Sequence, residues 1–202
     1  MRKLISVAIN RLNLEPGDIA AVKGHGLLAR LSRAVFSPDT DRYHHFLIWK
    51  KCTDGEDYII LESVAKGLAV GRLSMYEDQD IRFYRAVNLD RDTRNQACEE
   101  LTRSGRAPYD WMVYFNLPWE AAKAEARILL GGRLPRKLTA AEVNCCEDSW
   151  LICTEAVALA YKLANWSLVP DGIMALPSAI EQARLDGVIQ EIPEYELYGG
   201  SI

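Results

Sequence analysis

The chain predicts an α+β fold, an antiparallel sheet of short strands packed against helices. Three features of the sequence carry that prediction: a hairpin pattern over residues 45–61, further short apolar runs at 19–22, 68–73 and 81–86, and a late helical segment whose apolar residues cover a wide arc. The hairpin is the clearest element. His45 to Trp49 reads as one strand, Cys52-Thr53-Asp54-Gly55-Glu56-Asp57 as a polar turn, and Tyr58 to Leu61 as the return strand. Before it, the turn Leu14-Glu15-Pro16-Gly17-Asp18 opens a short buried strand from Ile19 to Val22, and Leu27 to Phe36 shows helical spacing that Ser37-Pro38-Asp39 ends.

Helices follow the strands. Asp92 to Leu101 and Asp110 to Phe115 are short segments, and Trp119 to Leu130 begins after Pro118 and stops at Gly131-Gly132. Asp148 or Ser149 caps a helix running to about Asn165, in which Trp150, Leu151, Ala156, Val157, Ala160, Tyr161 and Ala164 imply burial on most sides. A last helix starts at Pro177-Ser178 and reaches about Leu185. Neither a repeat nor a low-complexity linker divides the chain, so residues 1–202 are read as a single domain.

Composition narrows the function classes. Hydrophobic residues make up 49% of the 202 residues, enough to build a core without metals or disulfides. The formal charge of -4 offers no general attraction for nucleic acid or anionic lipid, and the arginines of the middle segment alternate with carboxylates as on a solvated face. Five cysteines with no finger-like spacing and three histidines argue against a disulfide scaffold and for a reducing compartment. Adjacent Cys145 and Cys146 make a poor zinc chelate with His44, so no metal and no cofactor is expected. The five-residue apolar run Leu4 to Ala8 is too short for a signal peptide and no stretch approaches a membrane span, which predicts a cytoplasmic product without stable membrane insertion.

The candidate chemistry centres on Cys153. About one turn into the buried helix, a thiol feels the helix dipole and unpaired backbone N–H groups, which favour thiolate. A hairpin turn centred between Thr53 and Asp54 pairs His45 with Glu62, so that the carboxylate accepts the imidazole N–H and fixes its tautomer. Alternation along Tyr43-His44-His45-Phe46-Leu47-Ile48-Trp49 leaves His44 and His45 both open as the base, because both faces are apolar. The glycine-flanked His25, with Tyr43 and His44, completes the residues expected at a substrate.

Taken in order, Pro16-Gly17-Asp18-Ile19, His45-Phe46-Leu47-Ile48, Leu61-Glu62-Ser63-Val64 with Gly67 and Val70, and Ile152-Cys153-Thr154-Glu155-Ala156 resemble the circularly permuted NlpC/P60 superfamily, including its YiiX/YebB-like and, more distantly, lecithin:retinol acyltransferase-like members. The likeness spans about residues 14–185, with Gly105, Pro108, Tyr109 and Asp110 similar to the family's Gly-x-Tyr-Asp element. His44 stands where Ser is commoner, and the segment 133–146 has no counterpart in the pattern. The resemblance implies a permuted papain-like fold and a cysteine amidase or peptidase in which Cys153 is the nucleophile, His45 the base and Glu62 its orienter. A thioacyl intermediate would form, with the oxyanion held by the Cys153 N–H and a donor such as Tyr43 or His25. The expected substrates are cell-wall peptides or another small amide. Two alternatives on the same scaffold are a lipid acyltransferase or phospholipase acting on a lipid ester, and an inactive binding or structural module with an ordinary thiol.

Overall fold

The computed structural model describes residues 9–23, 42–64, 66–104, 152–170, 175 and 177–199. Six strands form one sheet: β1 (Ile19–Lys23), β2 (Arg42–Lys51), β3 (Tyr58–Val64), β4 (Gly67–Arg72), β5 (Ile81–Ala86) and β6 (Ile189–Glu191), in the order β4-β3-β2-β1-β5-β6. Every neighbouring pair is antiparallel. The helices are α1 (Arg91–Arg103), α2 (Cys153–Leu163), α3 (Pro177–Leu185) and the short α4 (Glu194–Leu197), with 3-10 turns at Ile9–Arg11 and Leu73–Tyr76. The strands lie where the apolar runs predict them and α3 has the expected bounds. The tail adds β6 and α4, each too short to show a period. The expected helices at 27–36, 110–115 and 119–130 fall outside the described residues, as do His25, Cys145 and Cys146.

Alternation in the central strands feeds two cores, one on each face of the sheet. Ile19, Ala21, Leu47 and Leu61 meet Ala97 and Leu101 of α1, Val157, Ala160 and Tyr161 of α2, and Ile180 and Ala183 of α3. On the opposite face Ala20, Val22, Phe46, Ile48 and Ile60 are covered by Leu12, Leu14, Leu73, Ile192 and Leu197. The sheet is thus buried on both sides, by helices on one and by chain ends and a 3-10 turn on the other. Among the described residues no helix is long and apolar enough to cross a membrane.

Two local features set where the side chains of the hairpin point. The turn closes with Cys52 N–H on the Asp57 carbonyl at 2.7 Å, and Gly55 takes a φ of +75°, which a glycine adopts without the strain other residues would meet. Lys51 then pairs with Tyr58 and Lys50 with Ile59, but beyond Trp49 the register shifts to Ile48 opposite Ile60, Leu47 opposite Leu61 and Phe46 opposite Glu62. Trp49 is the extra residue of a β-bulge. Carried on unbroken, the turn's register would set Glu62 opposite Leu47; one inserted residue turns it to the other face.

Candidate functional site

The bulge decides which histidine meets the carboxylate. Opposed residues share a face, so Glu62 lies with Phe46 and, two positions back, with His44. His44 Nε2 is 3.0 Å from Glu62 Oε2, and His45 stands on the face of Leu47, opposite Ala21 of β1. The predicted His45–Glu62 pair is therefore corrected to His44–Glu62. His45 itself is 2% exposed, and its Nδ1 has no hydrogen-bond partner.

A third group, which sequence reasoning missed, completes the arrangement. Tyr76 donates its hydroxyl to Glu62 Oε2 and places the same oxygen 2.9 Å from His44 Nε2. Its ring stacks on the imidazole, with centroids 5.5 Å apart and planes at 24°, while Phe46 tilts against Tyr76 at 4.8 Å. Asp57 at the hairpin turn holds the 3-10 segment that carries Tyr76, accepting from Ser74 N–H at 3.2 Å and from Ser74 Oγ at 2.6 Å. The short segment Leu73-Ser74-Met75-Tyr76 has no period from which such a position is readable.

Cys153 is the first residue of α2, not a residue one turn inside it. Ile152 is the N-cap, and its N–H is held by the Glu155 side chain at 2.9 Å, so a carboxylate within the helix replaces the cap expected at Asp148 or Ser149, both outside the described residues. The thiol is 2% exposed and points to the Tyr43 carbonyl at 3.4 Å. Tyr43, expected at a substrate, is itself buried.

Charge within the site is displaced from its ordinary balance. Burial works against ionisation of Cys153, but the rings of His44 and His45 more than offset it and the thiol is pulled down to about 5. Burial likewise opposes the charged form of His44, and Cys153 with Glu62 outweighs it, raising the imidazole to about 9. Glu62 is pushed up by burial yet ends below its ordinary value, because His44 and Tyr76 both favour the carboxylate. Tyr76, buried and donating to that carboxylate, is raised and stays neutral.

No family model and no curated protein matches the chain. Among solved structures, the fold is similar to the crystal structure of the metalloprotein YiiX from Escherichia coli, at 13% identity and a TM-score of 0.51, over 89% of this chain and 96% of that one. The likeness is one of α+β architecture. Among the described residues no group of three or more His, Cys, Asp or Glu is placed to hold a metal ion, and His44 and Glu62 are spent on each other, so this donor set does not fit a metal.

These findings correct the expected activity. A cysteine amide hydrolase working through a thioacyl intermediate is not supported: the expected line of Cys153, His45 and Glu62 is not formed, the carboxylate meeting His44 instead. The acyltransferase or phospholipase reading, drawn on the same Cys-His pair, falls with it. An inert module predicts an ordinary thiol, whereas the rings of His44 and His45 favour the thiolate of Cys153.

Proposed function

We propose that the chain acts through a thiolate–imidazolium pair, in which Cys153 is the reactive sulfur, His44 the charged partner and Glu62 the group that holds that charge. The observation that supports this reading most directly is the hold on His44. Its Nε2 faces a carboxylate and a phenol oxygen at 3.0 and 2.9 Å, an arrangement that favours a protonated ring beside a thiol at a helix start. The property such a pair confers is a sulfur ionised at neutral pH beside its counter-charge. A permuted NlpC/P60 arrangement, with the sheet early in the chain and the cysteine helix after it, is the scaffold we infer for this site; the strand-then-helix order and the YiiX likeness support it.

The test is a pH titration of the ultraviolet thiolate absorbance, read as the difference between the parent and Cys153→Ala. This readout needs no reagent to reach a buried sulfur. A midpoint near 5 is expected. A midpoint in the ordinary thiol range, about 8.5, would overturn the reading.

A further inference from the structure

The hydrogens around His44 can be assigned from the partners alone. The Tyr76 hydroxyl has one hydrogen, and it lies on Glu62 Oε2. Its oxygen, 2.9 Å from His44 Nε2, is then left to accept, and the ionised carboxylate at 3.0 Å can only accept. Both contacts therefore require a hydrogen on Nε2. The nitrogen left for the thiol side of the ring is Nδ1.

We propose that Tyr76 is a positioning residue, which fixes the orientation of the charged His44 ring with Nε2–H toward Glu62 and Nδ1–H toward Cys153 by accepting from Nε2, donating to Glu62 and stacking on the imidazole. The proposal rests on the thiolate reading above and extends it to a group outside the expected set. Three observations converge on it. The two polar contacts close a triangle with Glu62. The near-parallel stacking, at 24°, restricts rotation of the ring about its Cβ–Cγ bond. The Asp57–Ser74 pair fixes the segment from which Tyr76 reaches across, so its place does not depend on the tyrosine's own contacts. The phenol is a neutral donor at neutral pH, held so by burial and by the carboxylate it serves.

The experiment uses Tyr76→Phe, which keeps the ring and removes only the hydroxyl, with His44 followed by nitrogen and proton NMR and Cys153 by thiolate absorbance. In the parent protein Nε2 is expected to carry a slowly exchanging hydrogen. In Tyr76→Phe its exchange should quicken about tenfold, the factor expected when one of two charge-assisted acceptors is lost, and the thiolate midpoint should rise by about one pH unit. Ser74→Ala, which loosens the 3-10 segment while leaving Tyr76 intact, should move both readouts the same way by less; it carries the test if Tyr76→Phe does not fold. Unchanged His44 signals and an unchanged midpoint in a folded variant would overturn the role of Tyr76. An ordinary thiol midpoint in the parent would instead remove the thiolate reading, and the NMR comparison would still decide whether Tyr76 holds the ring.

Discussion

At the scale of single residues, Gly71 leaves the space into which the Glu62 carboxylate fits. A Cβ built on Gly71 would stand 2.8 Å from Glu62 Oε1 and 3.2 Å from Ile60 Cγ1. The first contact is with the free end of a flexible side chain, which relieves it by moving. Gly71→Ala should therefore lower stability by no more than about 1 kcal/mol, yet raise the Cys153 midpoint, because the displaced carboxylate holds His44 less well. Paired denaturation and thiolate titrations read the two effects separately, and a shift in stability alone would speak against the gap. The two histidines part company in the same assay. His44→Gln removes the partner of Glu62 and should move the midpoint further than His45→Gln, whose ring lacks the carboxylate. Equal shifts would show that the carboxylate contributes nothing.

At the scale of elements, Trp49 is the extra residue of the β2–β3 pair. Deleting it makes Ile48 the neighbour of Lys50, so an unbroken ladder still sets Ile48 opposite Ile60 and Phe46 opposite Glu62, and His44 keeps its carboxylate. The expected result is a strand pair that still forms, seen by circular dichroism, with the thiol midpoint kept near 5. A midpoint returned toward 9 would show that the local twist of the bulge, and not the register alone, places His44. This element also marks the limit of what the residues reveal. Strands β1, β3, β4 and β5 are legible because runs such as Tyr58-Ile59-Ile60-Leu61 bury apolar side chains in an extended chain, and Cys153, Glu62 and a histidine of the pair 44–45 are legible as groups of the right chemistry. The choice between neighbouring histidines is not, since a bulge changes facing without altering composition, and Trp49 suits a strand with or without one. The start of α2 is not legible for a related reason. Asp148 and Ser149 have the side chains that cap helices, whereas the stabilising group here is Glu155, three residues past the cap, holding the Ile152 N–H.

At the scale of the whole molecule, charge ties distant parts of the chain together. Asp18, fully buried at the start of β1, receives Arg85 Nε and Nη2 at 2.7 Å each, and the same guanidinium reaches Glu196 of α4 at 2.5 Å. Burial raises the Asp18 carboxyl even against Arg85. Arg85→Met leaves that carboxylate without its counter-ion and is expected to destabilise the protein by about 3–5 kcal/mol in urea unfolding; a loss below about 1 kcal/mol would show the pair to be marginal. The site has its own pH signature. Stabilisation from the raised His44 is complete below about 6.5 and fades as pH climbs through about 9. From the depressed Cys153 it is complete above about 9 and fades as pH falls through about 5. The folded pair thus holds one proton between about 5 and 9, while the unfolded pair holds two below about 6.5 and one above. Its contribution to stability should rise with pH from about 5 to 6.5 and then stay level to about 9. Urea unfolding across that range should show the rise in the parent and lose it in Cys153→Ala; identical profiles would mean the pair is not ionised. The separations along the chain carry one more consequence. His44 lies 18 positions from Glu62 and 32 from Tyr76, whereas Cys153 reaches Tyr43 across 110. Short loops cost less entropy to close than long ones, so the imidazole is expected to be clamped by its neighbours before sulfur arrives. Between about 5 and 9, ionisation of that sulfur would then time the last step of folding, an optical signal that the unfolded chain does not give.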